Sequence, residues 1–258
     1  MKGIIDLSVI QVALAYIFVV FVLIVVKRRG IHREKEIIVS SIRMTLQLIL
    51  TGYVLQFVFD NPNAFITIGI IILMELFAIY TIFKKFKGKL SHPLKKVIAV
   101  AMSIGTFSCI VYFLLVVIRI NPWFDPRYFI PIAGMLIGNS MTGISLGIHS
   151  LIEGMTVKRA IIEEALILGA TPQKASRTVI NNAFDAAILP TINSMVGMGI
   201  IFLPGMMTGQ ILGGADPTTA IAYQIAIMLG ILGSVALTVV IMLKLSHSTF
   251  FNDESQLI

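Results

Sequence analysis

The sequence predicts an all-α polytopic membrane protein with about seven transmembrane helices and a short amphipathic helix on its cytoplasmic face. Three observations carry that expectation. Of 258 residues, 57% are hydrophobic and 13% charged, whereas ordinary globular chains carry about 25% charged residues. Mean hydropathy is +0.94, more apolar surface than one water-soluble core can hide. Apolar runs of membrane-crossing length, about 17 to 25 residues, recur at 8–26, 37–59, 65–83, 97–118, 131–152, 187–212 and 218–243.

The basic residues between these runs orient the chain. Lys27, Arg28, Arg29, Arg33 and Lys35 follow the first run; Lys84, Lys85, Lys87, Lys89, Lys95 and Lys96 follow the third. Lys158, Arg159, Lys174 and Arg177 follow the fifth, and Lys244 the seventh. Against them stand Lys2, Arg119 and Arg127 on the other side, with Arg43 inside a run. Cytoplasmic loops concentrate Lys and Arg, so the N-terminus is expected outside and the C-terminus in the cytoplasm, in the cell (inner) membrane. The net charge of +7 is then largely a topology signal, and nucleic acid is not expected as a partner. The first run exceeds the usual apolar stretch of a signal peptide and is followed by Lys27–Gly30 in stop-transfer fashion, so it reads as retained. The single cysteine, Cys109, excludes a disulfide framework or a thiolate metal cluster.

The longest polar segment, about 153–186, is expected to form two helices within a single transmembrane domain spanning 1–258. Thr156 can cap a helix through Val157–Leu168, with Ile161, Ile162, Ala165 and Leu166 as its apolar stripe. Gly169 suits a left-handed C-terminal cap, Thr171 can cap the next helix, and Pro172 fits its first turn, where a missing N–H costs nothing. That second helix leads into the sixth run.

The sixth run is interrupted. Gly197, Gly199, Pro204, Gly205 and Gly209 weaken a continuous helix, since Pro204 removes an i to i−4 hydrogen bond. Irregular backbone at membrane depth must be buried in protein or line a wet cavity, and broken helices often line transport paths. Asn139, Met198, Pro204, Gly205, Met206, Met207 and Gln210 are therefore transport-path candidates. Met195, Met198, Met206 and Met207 offer soft thioethers, although Met is also a common gap filler. The pairs Gly134 and Gly138, Gly143 and Gly147, and Gly205 and Gly209 have helix-packing spacing, equally suited to packing within one chain or to a dimer contact.

Polar residues inside the runs need partners. An ionised Glu75 mid-membrane costs about 2.5 to 3.5 kcal/mol or more. At 1.5 Å rise per residue, Glu75 and Arg43 lie about 12 Å and about 9 Å from the cytoplasmic ends of their runs. An ion pair between them, with Gln47 one turn from Arg43, is expected; Glu75 as a cation ligand is the alternative. His149 and Glu153 at i, i+4 could supply two metal ligands, with Asp185 and Asn139 as possible additions, or form a simple helix-end polar pair.

The segment Glu163–Ala175, EEALILGATPQKA, resembles the EAA-type cytoplasmic loop of ABC transporter permeases. Glu163, Glu164 and Ala165 take the Glu-Ala-Ala positions, with Glu at the second, and Leu168, Gly169, Ala170 and Thr171 match the Leu-Gly-Ala-Thr turn. Together with Met135–Gly147 and Leu203–Pro217, nearly the whole chain resembles the FetB-type family of ABC permeases. Bacterial members of that family are linked to iron export and plant relatives to aluminium tolerance. The resemblance implies a homodimer whose coupling helix (Arg159, Glu163, Glu164, Ala165, Leu168, Gly169, Ala170, Thr171 and Pro172) docks on a separate cytoplasmic ABC ATPase. It also implies that iron or a related metal ion is exported.

The residues fit that picture. No GxxxxGK[ST] motif occurs, so the chain cannot cradle nucleotide in the usual P-loop way. It needs no cofactor of its own and no enzymatic activity is expected of it; ATP and Mg would be used by the partner. An apolar stripe at Ile161, Ala165 and Leu168 flanked by Arg159 and Glu163 suits a helix-in-groove anchor, though it could also rest on the membrane surface. A permease for another substrate and an ion-coupled secondary transporter using Glu75 are the transport alternatives. A membrane-embedded enzyme would need clustered catalytic groups, and His32, His92, His149 and His247 are scattered.

Overall fold

The computed structural model describes residues 7–252, 254, 256 and 257; Lys2, part of the topology argument, lies outside them. The helices are α1 (Val9–Ala15), α2 (Ile17–Arg28), α3 (Glu34–Asp60), α4 (Ala64–Lys85), α5 (His92–Tyr112), α6 (Pro126–Val157), α7 (Arg159–Ile167), α8 (Pro172–Gly197), α9 (Gly205–Leu212) and α10 (Pro217–Ser246). They fall into two units, residues 7–61 with Leu212–Gly214, and residues 62–211 with 215–257.

In the first unit, Ser8 and Gln11 close a capping box on α1, and α1 and α2 together form one membrane-length segment, Val9–Arg28. Lys27 and Arg28 end α2, while Glu34 and Glu36 begin α3, each charge complementing the helix dipole at its end. The Tyr16 hydroxyl hydrogen-bonds to Thr45 Oγ1 and donates to Ser41 O, tying this first segment to α3. Phe18 and Phe21 are exposed, as lipid-facing side chains are in an isolated membrane chain.

The second unit is built around α6, which packs against α4, α5, α8 and α10. Asp125 caps α6 and Pro126 occupies its first turn. Side chains without bulk let the helices meet: a Cβ on Gly143 would lie 2.7 Å from Val235 Cγ1 of α10. Nearby, Ser140 and Ser234 hydroxyls share a buried hydrogen bond of 2.9 Å between α6 and α10. In a bilayer such close packing and polar contacts replace the hydrophobic drive as the cause of association. Gly147 likewise faces Met242 and Ala187, whereas Gly138, Gly205 and Gly209 meet open space. The Gly143 and Gly147 pair thus serves packing inside the chain.

Among the described residues, six segments are long and apolar enough to cross a membrane: Val9–Arg28, Glu34–Asp60, Ala64–Lys85, His92–Ile118, Pro126–Val157 and Pro217–Thr249. The fourth continues beyond α5 as a π-helical stretch, Phe113–Ile118. The expected run at 187–212 does not form one continuous helix. Its first part is the C-terminal half of α8, whose N-terminal half is polar; the chain breaks after Gly197 and resumes as α9 at Gly205.

Candidate functional site

The elbow around α7 forms as its punctuation requires, with one correction. Thr156 does not cap α7. It belongs to the last turn of α6, where its hydroxyl donates to Ile152 O at 2.9 Å, and Lys158 stands at the N-cap of α7 without a side-chain hydrogen bond. Thr156 therefore finds its acceptor one turn back, a local choice open to any helical Thr. At the other end Gly169 has φ +87°. Gly169 N donates to Leu166 O and Ala170 N to Ala165 O, a Schellman-type closure that favours glycine. Thr171 Oγ1 accepts from Lys174 N at 3.4 Å, and Pro172 opens α8.

The apolar residues of α7 divide between two faces. Ile162 is 1% exposed and Leu166 packs against the core; burying Ile162 contributes about 1.5 to 3 kcal/mol. Ile161 and Leu168 point outward, 65% and 87% exposed, with Ile167 beside them. Arg159 Nε donates to Glu163 Oε1 at 2.8 Å, a pair one turn apart. A short helix is thereby held on the core by one face while presenting apolar side chains and charge on the other, and a four-residue turn, Leu168 to Thr171, leads from it into α8.

Along α6, Asn139, Thr142, His149 and Glu153 are exposed on one helical face. Asn139 Nδ2 donates to Met135 O and Thr142 Oγ1 to Gly138 O, leaving acceptor oxygens available. Polar groups facing hydrocarbon are costly, so this face suits water or protein rather than lipid. His149 Nδ1 and Glu153 Oε2 lie 3.5 Å apart and line a cavity of about 350 Å³ with Lys89 and Phe86. Asp185 faces a different cavity, beside Lys244 and His247, and no group of three His, Cys, Asp or Glu side chains occurs among the described residues. Asn139 stands ten positions before His149, about 15 Å along the helix. The expected additions to a His149 and Glu153 metal pair are thus not brought to it.

The break between α8 and α9 bonds part of its own backbone. Gly199 adopts φ +85°, Gly199 N donates to Phe202 O, Ile201 N to Gly197 O, and Thr208 N to Pro204 O. Met195, Met198 and Met206 pack against the core and Met207 is buried. One of them has a polar contact: Gln224 Nε2 of α10 donates to Met198 Sδ at 3.8 Å. Gln224 is buried and its Oε1 has no hydrogen-bond partner, as is true of Gln210 Oε1. Sequence reading missed Gln224. Its signal was a lone amide in the apolar run 218–243, the same signal that singled out Glu75.

Glu75 Oε2 accepts from Thr106 Oγ1 at 3.0 Å, a hydroxyl that also faces Met102 O at 2.7 Å. Glu75 Oε1 is buried without a hydrogen-bond partner. Thr106, on α5, is therefore a partner that the charge-pair argument did not foresee. Arg43 and Gln47 lie one turn apart on α3 in the first unit.

Among the described residues, six membrane-length segments, an interrupted helix and a capped elbow define a polytopic all-α membrane protein. Residues 9–251 match the family described as "Uncharacterised protein family (UPF0014)", and the chain belongs to that family. It is 32% identical to the "Probable iron export permease protein FetB" of Escherichia coli (strain K12), over 96% of this chain and 94% of that one. It is 34% identical to "Protein ALUMINUM SENSITIVE 3" of Arabidopsis thaliana, covering 97% and 90% respectively. The "UPF0014 membrane protein YjkA" of Bacillus subtilis (strain 168) is 33% identical over 96% of this chain and 97% of its own length. No solved structure matches.

Proposed function

We infer that this chain is the membrane subunit of an ABC transporter that exports iron or a related metal ion, driven by a separate ATPase subunit. The observation that carries the reading is the elbow: α7 seated by Ile162, with Ile161 and Leu168 outward, and joined through Gly169 and the Thr171 cap to α8. A push on α7 has no slack to absorb it and passes along α8 to the broken segment before α9. Two copies of the chain would bring their exposed polar α6 faces, with Asn139 and Thr142, to a shared path, beside Met198, Pro204, Gly205, Met206, Met207 and Gln210. ATP and Mg are used by the partner, and the chain sits in the cell (inner) membrane with its N-terminus outside and C-terminus in the cytoplasm. Closure of the ATPase dimer then alternates access between the two sides, a rigid-body mechanism. Metal identity is supported only by the printed name of the Escherichia coli relative.

The test is co-purification from native membranes in mild detergent with an N-terminal tag. The parent chain is expected to bring down a P-loop ATPase, whose hydrolysis an exported metal stimulates. The paired substitutions Glu163→Ala and Leu168→Ala are expected to lose that ATPase while the chain remains monodisperse. Absence of any ATPase with the parent would overturn the reading. The half-buried Glu75, whose Oε1 is buried without a hydrogen-bond partner, favours a second reading, ion-coupled transport.

A further inference from the structure

The C-terminal segment turns back against α7. It leaves α10 through a single 3₁₀ turn, His247–Thr249, and the His247 and Phe251 rings stack with centroids 5.0 Å apart. Phe251 and Leu257 pair in an antiparallel bridge, and both are buried in the core. Asn252 closes the loop: its N donates to Gln256 O at 2.9 Å, and its Oδ1 accepts from Gln256 N at 2.7 Å and Glu254 N at 3.1 Å. Arg159 Nη2 then donates to Leu257 O at 3.2 Å while its Nε holds Glu163. One guanidinium thus joins the elbow helix to the tail.

Between them lies an open groove of about 710 Å³, its walls including Arg159, Glu163, Ile167 and Gly169 on one side and Glu254 and Gln256 on the other. Among the described residues, the charged groups lining it are two carboxylates and one guanidinium already engaged by Glu163 and Leu257, so their surplus is acidic. The exposed apolar side chains Ile161, Ile167 and Leu168 continue its rim.

The geometry points to the tail as the second wall of the ATPase docking site, so that the partner seats between α7 and the tail residues Glu254, Gln256 and Leu257. This rests on the permease reading above and deepens it. The occupant is a P-loop ATPase subunit presenting a Lys or Arg beside an apolar side chain: Glu254 offers the charge, and Ile167 and Leu168 the apolar contact. A bilayer surface is the wrong partner, because an anionic cytoplasmic leaflet attracts basic segments and repels an acidic groove. Docking there loads two helices at once. Force on α7 enters α8 directly, and force on the tail enters α10 through the Phe251 and His247 stack, so two of the helices that pack against α6 move together.

The test places a photo-crosslinking benzoyl-phenylalanine at Glu254, an exposed site whose structural bond is only its backbone N–H, and separately at Leu168, in the full chain in native membranes. Both positions are expected to yield an adduct whose partner peptide map contains GxxxxGK[ST]. Glu254→Lys is expected to weaken ATPase capture about tenfold by replacing an attractive rim charge with a repulsive one, with Glu254→Gln in between. An ATPase adduct at 168 but lipid or nothing at 254 overturns the tail proposal and leaves the permease reading standing. No ATPase adduct at either position overturns both, and full capture by Glu254→Lys also overturns the tail proposal.

Discussion

Glu75 shows what one residue can settle. Its Oε2 takes a hydrogen bond from Thr106, while Oε1 is buried with none, so the carboxyl either serves structure or carries an ion. Glu75→Gln preserves shape and can keep the Thr106 bond, at a cost of about 1 kcal/mol if a neutral hydrogen bond replaces a charged one. For an ATP-driven permease, Glu75→Gln is expected to retain metal-stimulated ATP hydrolysis and metal efflux. Complete loss of efflux in a folded variant, with ATP hydrolysis intact, would instead place Glu75 on the ion path. The Arg43 pair is tested by the same means. If Arg43 and Glu75 share an ion pair, Arg43→Gln and Glu75→Gln in combination destabilise the chain less than the sum of the single changes.

At the scale of elements, the elbow between α7 and α8 has a single weak point, Gly169. Its φ of +87° lies where a β-branched side chain costs about 1 to 3 kcal/mol. Gly169→Val is expected to leave membrane insertion unchanged, because the transmembrane helices do not depend on this turn. It is expected to loosen the Schellman closure and dissociate ATP hydrolysis from metal efflux. The check compares both activities in proteoliposomes against Gly169→Asn, which tolerates the left-handed region and is expected to keep most of the coupling. Equal coupling in Gly169→Val and the parent would show that the elbow need not be rigid. The same scale explains the interrupted helix. Pro204 removes a helical hydrogen bond, but the chain already leaves the helix at Gly197 and uses Gly199 to turn, so that Pro204 caps the return through Thr208 rather than making the break.

For the whole molecule, charge asymmetry predicts topology, and labelling checks it. With Cys109→Ser as background, a cysteine at Lys87 is expected to react with an impermeant maleimide only after the cell is opened, and one at Trp123 in intact cells. Labelling at Lys87 from outside would invert the arrangement and put α7 where no ATPase can reach it.

Sequence alone determined the all-α class, six of the seven expected membrane segments, and the Gly169, Thr171 and Pro172 punctuation of the elbow. Each is decided by properties local to the chain: run length against bilayer thickness, backbone freedom at φ > 0, a side-chain oxygen within reach of a free amide. Sequence did not determine which α7 side chains turn inward, since Ile161 and Ile162 are chemically the same and only docking on the core separates them. Nor could it place Thr106 on Glu75, Gln224 on Met198, Asp185 away from His149, or Leu257 on Arg159. These contacts join residues from 26 to 98 positions apart, where they are bonded, and periodicity carries no information across such distances. Tertiary packing decided them, because a buried polar group takes whichever partner the neighbouring helix brings within reach.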